Sequence, residues 1–261
     1  MAEKEKVTMV KYLNNVSTRN YIKGIISSPE KADMFMNNML TLTDKDIKLQ
    51  ECDPGDLMRC ALNAVALDLP LSKQLGLAYV IAYKGSPTFQ VGYKGFIQLA
   101  IRTQAYKRIN ACEVREGEIE RNKFTGEIKF LKECPDAPVV GYMAYLLMHS
   151  GFEQSFYMSV EQVRDHAKKY SPSYKYSNTL WHTDEAKMAT KTVLKLLLSQ
   201  YGLLSPELQK ALESDENIEV EKGKRAINID DIQKQDDKNT EVKQNKETID
   251  VEVQELPNDA I

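Results

Sequence analysis

The spacing of apolar positions changes twice between residues 76 and 115, GLAYVIAYKGSPTFQVGYKGFIQLAIRTQAYKRINACEVR. Residues 77–83 and 88–93 are short runs rich in β-branched and aromatic side chains, the composition of strands. Lys84-Gly85-Ser86-Pro87 between them is a turn signal, so the two runs read as a β-hairpin. Phe96, Ile97, Ala100 and Ile101 then recur at helical spacing and predict a helix of two to three turns from about Lys94. Gln104-Ala105-Tyr106 leads into a third strand, residues 108–115.

The rest of the chain follows the same reasoning. Residues 1–28 are polar with a partial helical stripe of Tyr12, Val16, Tyr21, Ile22, Ile25 and Ile26. They read as an arm that packs either on its own domain or on a neighbouring copy. Ser28-Pro29-Glu30 has a capping serine and a proline at the first helical position, followed by Phe35, Met36, Met39, Leu40 and Leu42. Asp53-Pro54-Gly55-Asp56 opens another helix, with Leu57, Cys60, Ala61, Ala64, Val65 and Leu67 apolar. Residues 118–121 and 124–131 flank a turn, as do 139–148 and 152–159 around His149-Ser150-Gly151, and both pairs read as hairpins. Alternation is poor over 141–145, so that strand is either buried on both faces or misread.

Residues 159–169 read as a helix with Val160, Val163 and Ala167 inward. The stretch 170–177 that follows holds Tyr170, Tyr174 and Tyr176, with Lys168, Lys169 and Lys175 nearby. It is either a stacking lid for nucleic acid or an ordinary surface loop. A last helix spans 184–202, with Thr183 as its cap, Asp184 and Glu185 at the positive end of its dipole, and Gly202 at its end. After Gln209 the chain turns polar and is expected to be disordered, apart from short apolar pieces at 226–229 and 251–256 that suit folding on a partner. The expected class is α+β: central antiparallel hairpins or sheet packed with helices, a long C-terminal helix and a disordered acidic tail. The expected division is an arm at 1–28, a core at 29–209 and a tail at 210–261.

Length and composition narrow the function. With 261 residues the chain can bury one sizeable core and still carry a tail. No apolar run reaches the roughly 18 residues a membrane span requires, and the charged start MAEKEKVTMVKYL has no signal-peptide character, so a cytoplasmic protein is expected. Cys52, Cys60, Cys112 and Cys134 form no C-x-x-C pair, and His149, His166 and His182 are scattered, so neither a metal site nor a cofactor is implied. The net charge of −3 hides an asymmetry: residues 213–261 hold 15 acids and 7 bases, net −8, and residues 1–212 hold 23 acids and 28 bases, net +5. A basic body with an acidic tail suits nucleic-acid binding, the tail being either kept off the groove or reserved for a protein partner.

Two places carry the candidate chemistry. At the hairpin-to-helix junction, Gly92 and Gly95 would let a ligand approach the backbone, and a helix start favours an anion. Lys94 adds charge, Tyr93 a stacking surface and Gln90 a polar reach, with Lys84, Arg102, Lys107 and Arg108 as neighbouring cations. The plainer alternative makes the glycines turn residues and Tyr93 core, and for this spacing alone it is the commoner case. On the last helix Lys187, Lys191 and Lys195 recur every four residues on one face, with no acid among them, while Ala189, Val193, Leu196, Leu197 and Tyr201 largely take another. No catalytic or metal-binding residue is assigned.

The run GLAYVIAYKG…FQVGYKGFIQLAIR resembles the RecT family of phage single-strand annealing proteins, and the likeness extends from about Leu57 to Gly202. It departs at Thr103-Gln104-Ala105-Tyr106, where a glycine often stands in members. The resemblance implies an ATP-independent protein, phage or prophage encoded, that assembles as a ring or helical filament and pairs complementary strands. It implies as partners single-stranded DNA, annealed duplex, copies of the chain itself, a phage exonuclease and the host single-strand DNA-binding protein. The chain has no G-x-x-x-x-G-K-[ST], which argues against an ATP-driven recombinase. Two alternatives remain. One is a passive single-strand binder or chaperone with the same basic, aromatic surface. The other is a metal-dependent nuclease built on Glu127-Ile128-Lys129 with Glu116, Glu118 or Glu120, a string short enough to arise by chance.

Overall fold

The computed structural model describes residues 7–122 and 124–216. Five helices come first: α1 (Met9–Leu13), α2 (Val16–Ile25), α3 (Pro29–Asp44), α4 (Ile47–Gln50) and α5 (Pro54–Ala66). Ser28 caps α3 as expected, and Asp53 caps the helix it was expected to open. The Ser28 hydroxyl accepts from the Lys31 amide at 3.3 Å, and the Asp53 carboxylate accepts from Gly55 and Asp56 at 2.9 and 3.0 Å. Each satisfies amides that the first helical turn leaves without partners. The stripe in the N-terminal arm splits, with Ile22 and Ile26 buried and Val16 and Ile25 facing outward.

Strands β1 (Ala78–Tyr83) and β2 (Ser86–Val91) pair antiparallel from Tyr83↔Ser86 to Ala78↔Val91. Lys84 and Gly85, both at positive φ (52° and 81°), make a two-residue turn whose twist matches the strands. Ser86 and Pro87, expected in the turn, therefore lie in the strand. Pro87 is tolerated because this sheet has only two strands, and its carbonyl accepts from the Cys60 thiol at 3.1 Å. Burial pushes that thiol up to about 11, so it stays protonated and able to donate. Ala78, Val80, Phe89 and Val91 face α5 and the core, while Tyr79, Ile81, Tyr83, Thr88 and Gln90 take the other side.

Helix α6 (Tyr93–Arg102) leads through Gln104, held at φ 56°, to β3 (Tyr106–Arg115), which starts two residues earlier than expected. The hairpin β4 (Ile119–Arg121) and β5 (Ile128–Phe130) stands apart from a three-stranded sheet ordered β3, β6 (Val139–Met148), β7 (Glu153–Ser159). Then come α7 (Val160–Tyr170), a 3-10 turn at Pro172–Lys175, α8 (Leu180–Thr183), α9 (Glu185–Tyr201) and α10 (Pro206–Glu216). Helices α7 and α9 pack on the sheet, where Tyr142, Ala144 and Leu146 of β6 are buried with Ala189, Val193 and Leu197 of α9. The other face of β6 carries Met143, Tyr145 and Leu147, half-buried. This explains the poor alternation: both faces are apolar, and one is covered.

The fold is α+β, with antiparallel hairpins and sheet packed by helices, as expected. The order beyond Gln209 was not: that residue lies inside α10, where Leu208, Ala211 and Leu212 are buried. The apolar pieces at 226–229 and 251–256, and most of the acidic tail, lie outside the described residues. The aromatic loop is also more tightly built than a free lid. The Trp181 indole donates to Ser171 Oγ at 2.9 Å and meets the Tyr174 ring edge-on at 5.7 Å, leaving Tyr170 and Tyr176 outward.

Candidate nucleic-acid interface

Helix α9 is the organising element of the candidate surface. Asp184, not Thr183, is its cap, accepting from the Lys187 amide at 3.3 Å. The same carboxylate pairs with the Lys187 ammonium, so this lysine has the acidic partner that the sequence pattern did not suggest. That bond holds the Lys187 ammonium above its ordinary value, and the side chain remains exposed and cationic. Lys187 also lies within electrostatic reach of the Tyr79 hydroxyl on β1. One turn on, the Lys191 ammonium sits 5.8 Å from the centroid of Phe96 on α6, a cation–π distance. A further turn on, Lys195 lies near His166 of α7.

The lysine row thus crosses from the β1–β2 and α6 side toward α7. Helix α7 is clamped to α9 by the Arg164–Glu185 pair, at 2.7 and 2.8 Å, which holds Glu185 below its usual range. It presents His166, Lys169 and Tyr170, with the His166 and Tyr170 rings 4.7 Å apart and the Lys169 ammonium 4.9 Å from the Tyr170 ring. Burial, then Lys195 and Lys169, pushes the His166 imidazole below its ordinary value. At the opposite end, Lys94 is exposed on the first turn of α6. Its side chain and the Tyr79 hydroxyl flank Gly76 together, at 3.6 and 3.2 Å from the point where a Cβ would stand. Lys94, Lys187, Lys191 and Lys195 therefore share one surface, with Tyr79 beside them. Gln90, opposite Tyr79 in the hairpin register, donates to the Tyr83 hydroxyl at 3.3 Å.

The remaining candidates go elsewhere. Lys84 is exposed at the hairpin tip, in the turn. The Tyr93 ring packs half-buried on the core and its hydroxyl meets the Ala111 backbone, and burial raises its pKa. It anchors α6 to the edge of β3. Arg102 donates to the Leu67 and Asp68 carbonyls, each at 2.7 Å, and lies 3.5 Å from the Asp68 carboxylate, so its guanidinium closes the C-terminus of α5. Lys107 is the extra residue at a register shift in β3. Arg108 pairs opposite Leu147 and lies near Tyr145, on the sheet face away from α9.

The junction glycines serve the chain itself. A Cβ on Gly92 would overlap the Gly76 carbonyl, and one on Gly95 the Leu77 carbonyl; the Gly92 amide donates to Leu77 O at 2.8 Å. The close approach expected of a ligand is made by residues 76 and 77. As for Glu127, it precedes β5 in a turn, and among the described residues no three His, Cys, Asp or Glu side chains converge as a metal cage. Sequence reasoning missed Tyr79, Tyr83 and His166, and named Lys169 only as a neighbour of the 170–177 loop. Strand alternation would have put both tyrosines beside Gln90, and helical spacing would have grouped His166 with Lys169 and Tyr170. None of the described helices is long and apolar enough to cross a membrane.

Comparison with known proteins gives a consistent picture. A family model described as the RecT family matches residues 33–251, a longer stretch than the motif-bearing region. The chain is 38% identical over 263 residues to the uncharacterized protein YqaK of Bacillus subtilis (strain 168), covering 91% of each chain. It is 26% identical over 222 residues to Protein RecT of Escherichia coli (strain K12), covering 80% of each.

Proposed function

As the chain belongs to the RecT family, we propose that it is an ATP-independent single-strand annealing protein of DNA recombination. Family membership supports the annealing role itself; the mechanism is our reading. The observation that carries it is the gathering of Lys94, Lys187, Lys191 and Lys195 on one surface beside Tyr79.

One strand lies extended along the lysines with its phosphates on the protein and the pairing edges of its bases exposed. A second strand then pairs with those bases, so base pairing supplies specificity and the lysines lower strand–strand repulsion. Tyr79 and Tyr170 offer rings for stacking that tolerates any base, at about 1–3 kcal/mol per base. Four lysines on one protomer neutralise few phosphates, which favours copies acting together along the DNA as a ring or filament. A phage exonuclease and a host single-strand DNA-binding protein are proposed partners, with the acidic residues of 213–261 as a place for one of them.

The test is annealing of two complementary fluorescent oligonucleotides without ATP. The reading expects faster pairing, and a more salt-resistant complex when the strands are added in succession than with either strand alone. Binding of single strands with no acceleration of pairing would leave a passive binder instead.

A further inference from the structure

The three-stranded sheet buries one face under α7 and α9, while Cys112 and Met143, paired across β3 and β6, lie on the other. The β4–β5 hairpin sits beside that open face, with the Arg121 guanidinium 5.4 Å from the Tyr157 ring of β7 and Phe130 64% exposed. Between hairpin and sheet runs a groove of about 380 Å³, its apolar lining made by Cys112, Val114, Ile119, Phe130, Pro135 and Met143. Its charged lining is Glu113, Glu118 and Glu133 against one base, Arg115, whose guanidinium is held by Glu113 at 2.6 Å and by the Ala137 carbonyl at 2.7 Å. Burial, then Glu118 and Glu113, pushes the Cys112 thiol above its ordinary value, as an apolar site with a negative rim should. Residues 112–136 as a whole, hairpin included, hold seven acids and five bases, net −2. An apolar face of this kind ordinarily lies under cover, and the cover must bring apolar side chains and positive charge. We infer that it is residues 222–229 of the same chain, with Ile227 and Ile229 in the groove and Lys222, Lys224 and Arg225 at its rim.

Charge and apolar content select that segment from the rest of the tail. Residues 213–221 hold five acids and no base, and 230–261 hold ten acids and four bases. Between them 222–229 has three bases, no acid and two isoleucines at strand spacing. The lysines further on, Lys238, Lys243 and Lys246, surround Glu241 and have only Val242 as an apolar neighbour. A DNA strand would be repelled by the glutamates. Reach is sufficient: α10 ends at Glu216, packed on β2, α6 and α9, and eleven residues lead from there to Ile227. Extended, they span at most about 36–40 Å, against roughly 10 Å between layers packed on a sheet. A peptide of the same chemistry on another protein would have to displace a tethered segment whose effective concentration is on the order of millimolar. Docked there, 222–229 moors the acidic tail on the sheet face opposite α9, away from Lys187, Lys191 and Lys195. The contact stands apart from the annealing reading; only this consequence rests on it.

The test puts a thiol into the full chain by Ile227→Cys, to be bonded to the native Cys112 under mild oxidation without DNA. Val220→Cys and Val242→Cys, one nearer α10 and one further along the tail, are the controls for tether length. A disulfide from Cys112 to the thiol introduced at position 227 should form within single chains, about tenfold faster than in either control. Peptide mass mapping identifies the bonded pair, and non-reducing gels separate bonds within one chain from bonds between two. Adding Lys224→Glu and Arg225→Glu to Ile227→Cys should cut the yield severalfold, because the rim then repels the segment. A rate equal to the controls', bonds only between chains, or a yield indifferent to the charge reversal overturns the inference. The annealing assay on the same chains separates the two claims. A chain that pairs strands but forms no such disulfide loses the mooring and leaves the annealing reading standing.

Discussion

The start of α6 and the outward side of α9 are close neighbours built in different ways. At α6 the chain closes on itself: the Gly76 and Leu77 carbonyls occupy the space that side chains on Gly92 and Gly95 would need. Along α9 the space is bordered by long cationic side chains that reach to Tyr79, Phe96 and His166. The first arrangement is rigid and its residues are replaceable only at a cost in stability. The second leaves charge on a surface, where replacement costs binding. Glycine-rich junctions and lysine rows both suggest phosphate in a sequence; here their geometry separates them.

The largest effect that would break this contrast is at Gly95. Gly95→Ala should cost about 3 kcal/mol of unfolding free energy, because the new Cβ meets a backbone carbonyl that cannot swing away. A denaturant midpoint equal to the parent's would reopen the junction as a ligand site. Next, Arg102→Ala should lower stability by about 1 kcal/mol, discounted for the exposure of the guanidinium, and leave the salt dependence of DNA binding alone. A flattened salt dependence would return Arg102 to the DNA surface. Smaller and opposite in sign, Gln104→Gly should raise stability by about 0.5 kcal/mol, since glycine takes φ 56° without the clash a Cβ brings. A lower melting temperature would contradict it.

The smallest effect concerns pH and sharpens the α7 end of the track. His166 is held below the ordinary imidazole value of about 6.5 by burial, Lys195 and Lys169. In the window below that value the unfolded chain binds more protons than the folded one, so stability falls as pH falls. His166→Gln should flatten that fall in thermal melts. DNA phosphates would offset the nearby lysines, so binding should take up protons and tighten as pH drops through this window. Melts of parent and variant that decline in parallel would remove His166 from the account.

Much of the fold was legible because it depends on local signals. Ser28 caps one helix, Asp53 opens another, and Lys84-Gly85 turns a hairpin, through short-range hydrogen bonds and dihedral preferences. The site was less legible because it depends on register. Tyr106 is buried, and simple alternation would place Arg108 on the same side. The shift at Lys107 turns Ile109 to the core and Arg108 away. Likewise the glycines mark a close approach without saying what approaches. The partner of Lys187 was hidden because Asp184 was read as a dipole residue when it is the cap. Order past Gln209 was missed because Leu208, Ala211 and Leu212 are too few to make a convincing stripe.

The central claim is that the α6–α9 lysines, and not the cations of β3, contact phosphate. Its most direct test is the salt dependence of binding to a labelled single strand for the parent, the Lys94→Ala/Lys191→Ala double variant and Arg108→Ala. At roughly 0.7 per phosphate contact, the slope should fall by about 1.4 in the double variant and stay unchanged in Arg108→Ala. An unchanged slope in the double variant, or a loss in Arg108→Ala, would place the DNA on the other face of the sheet.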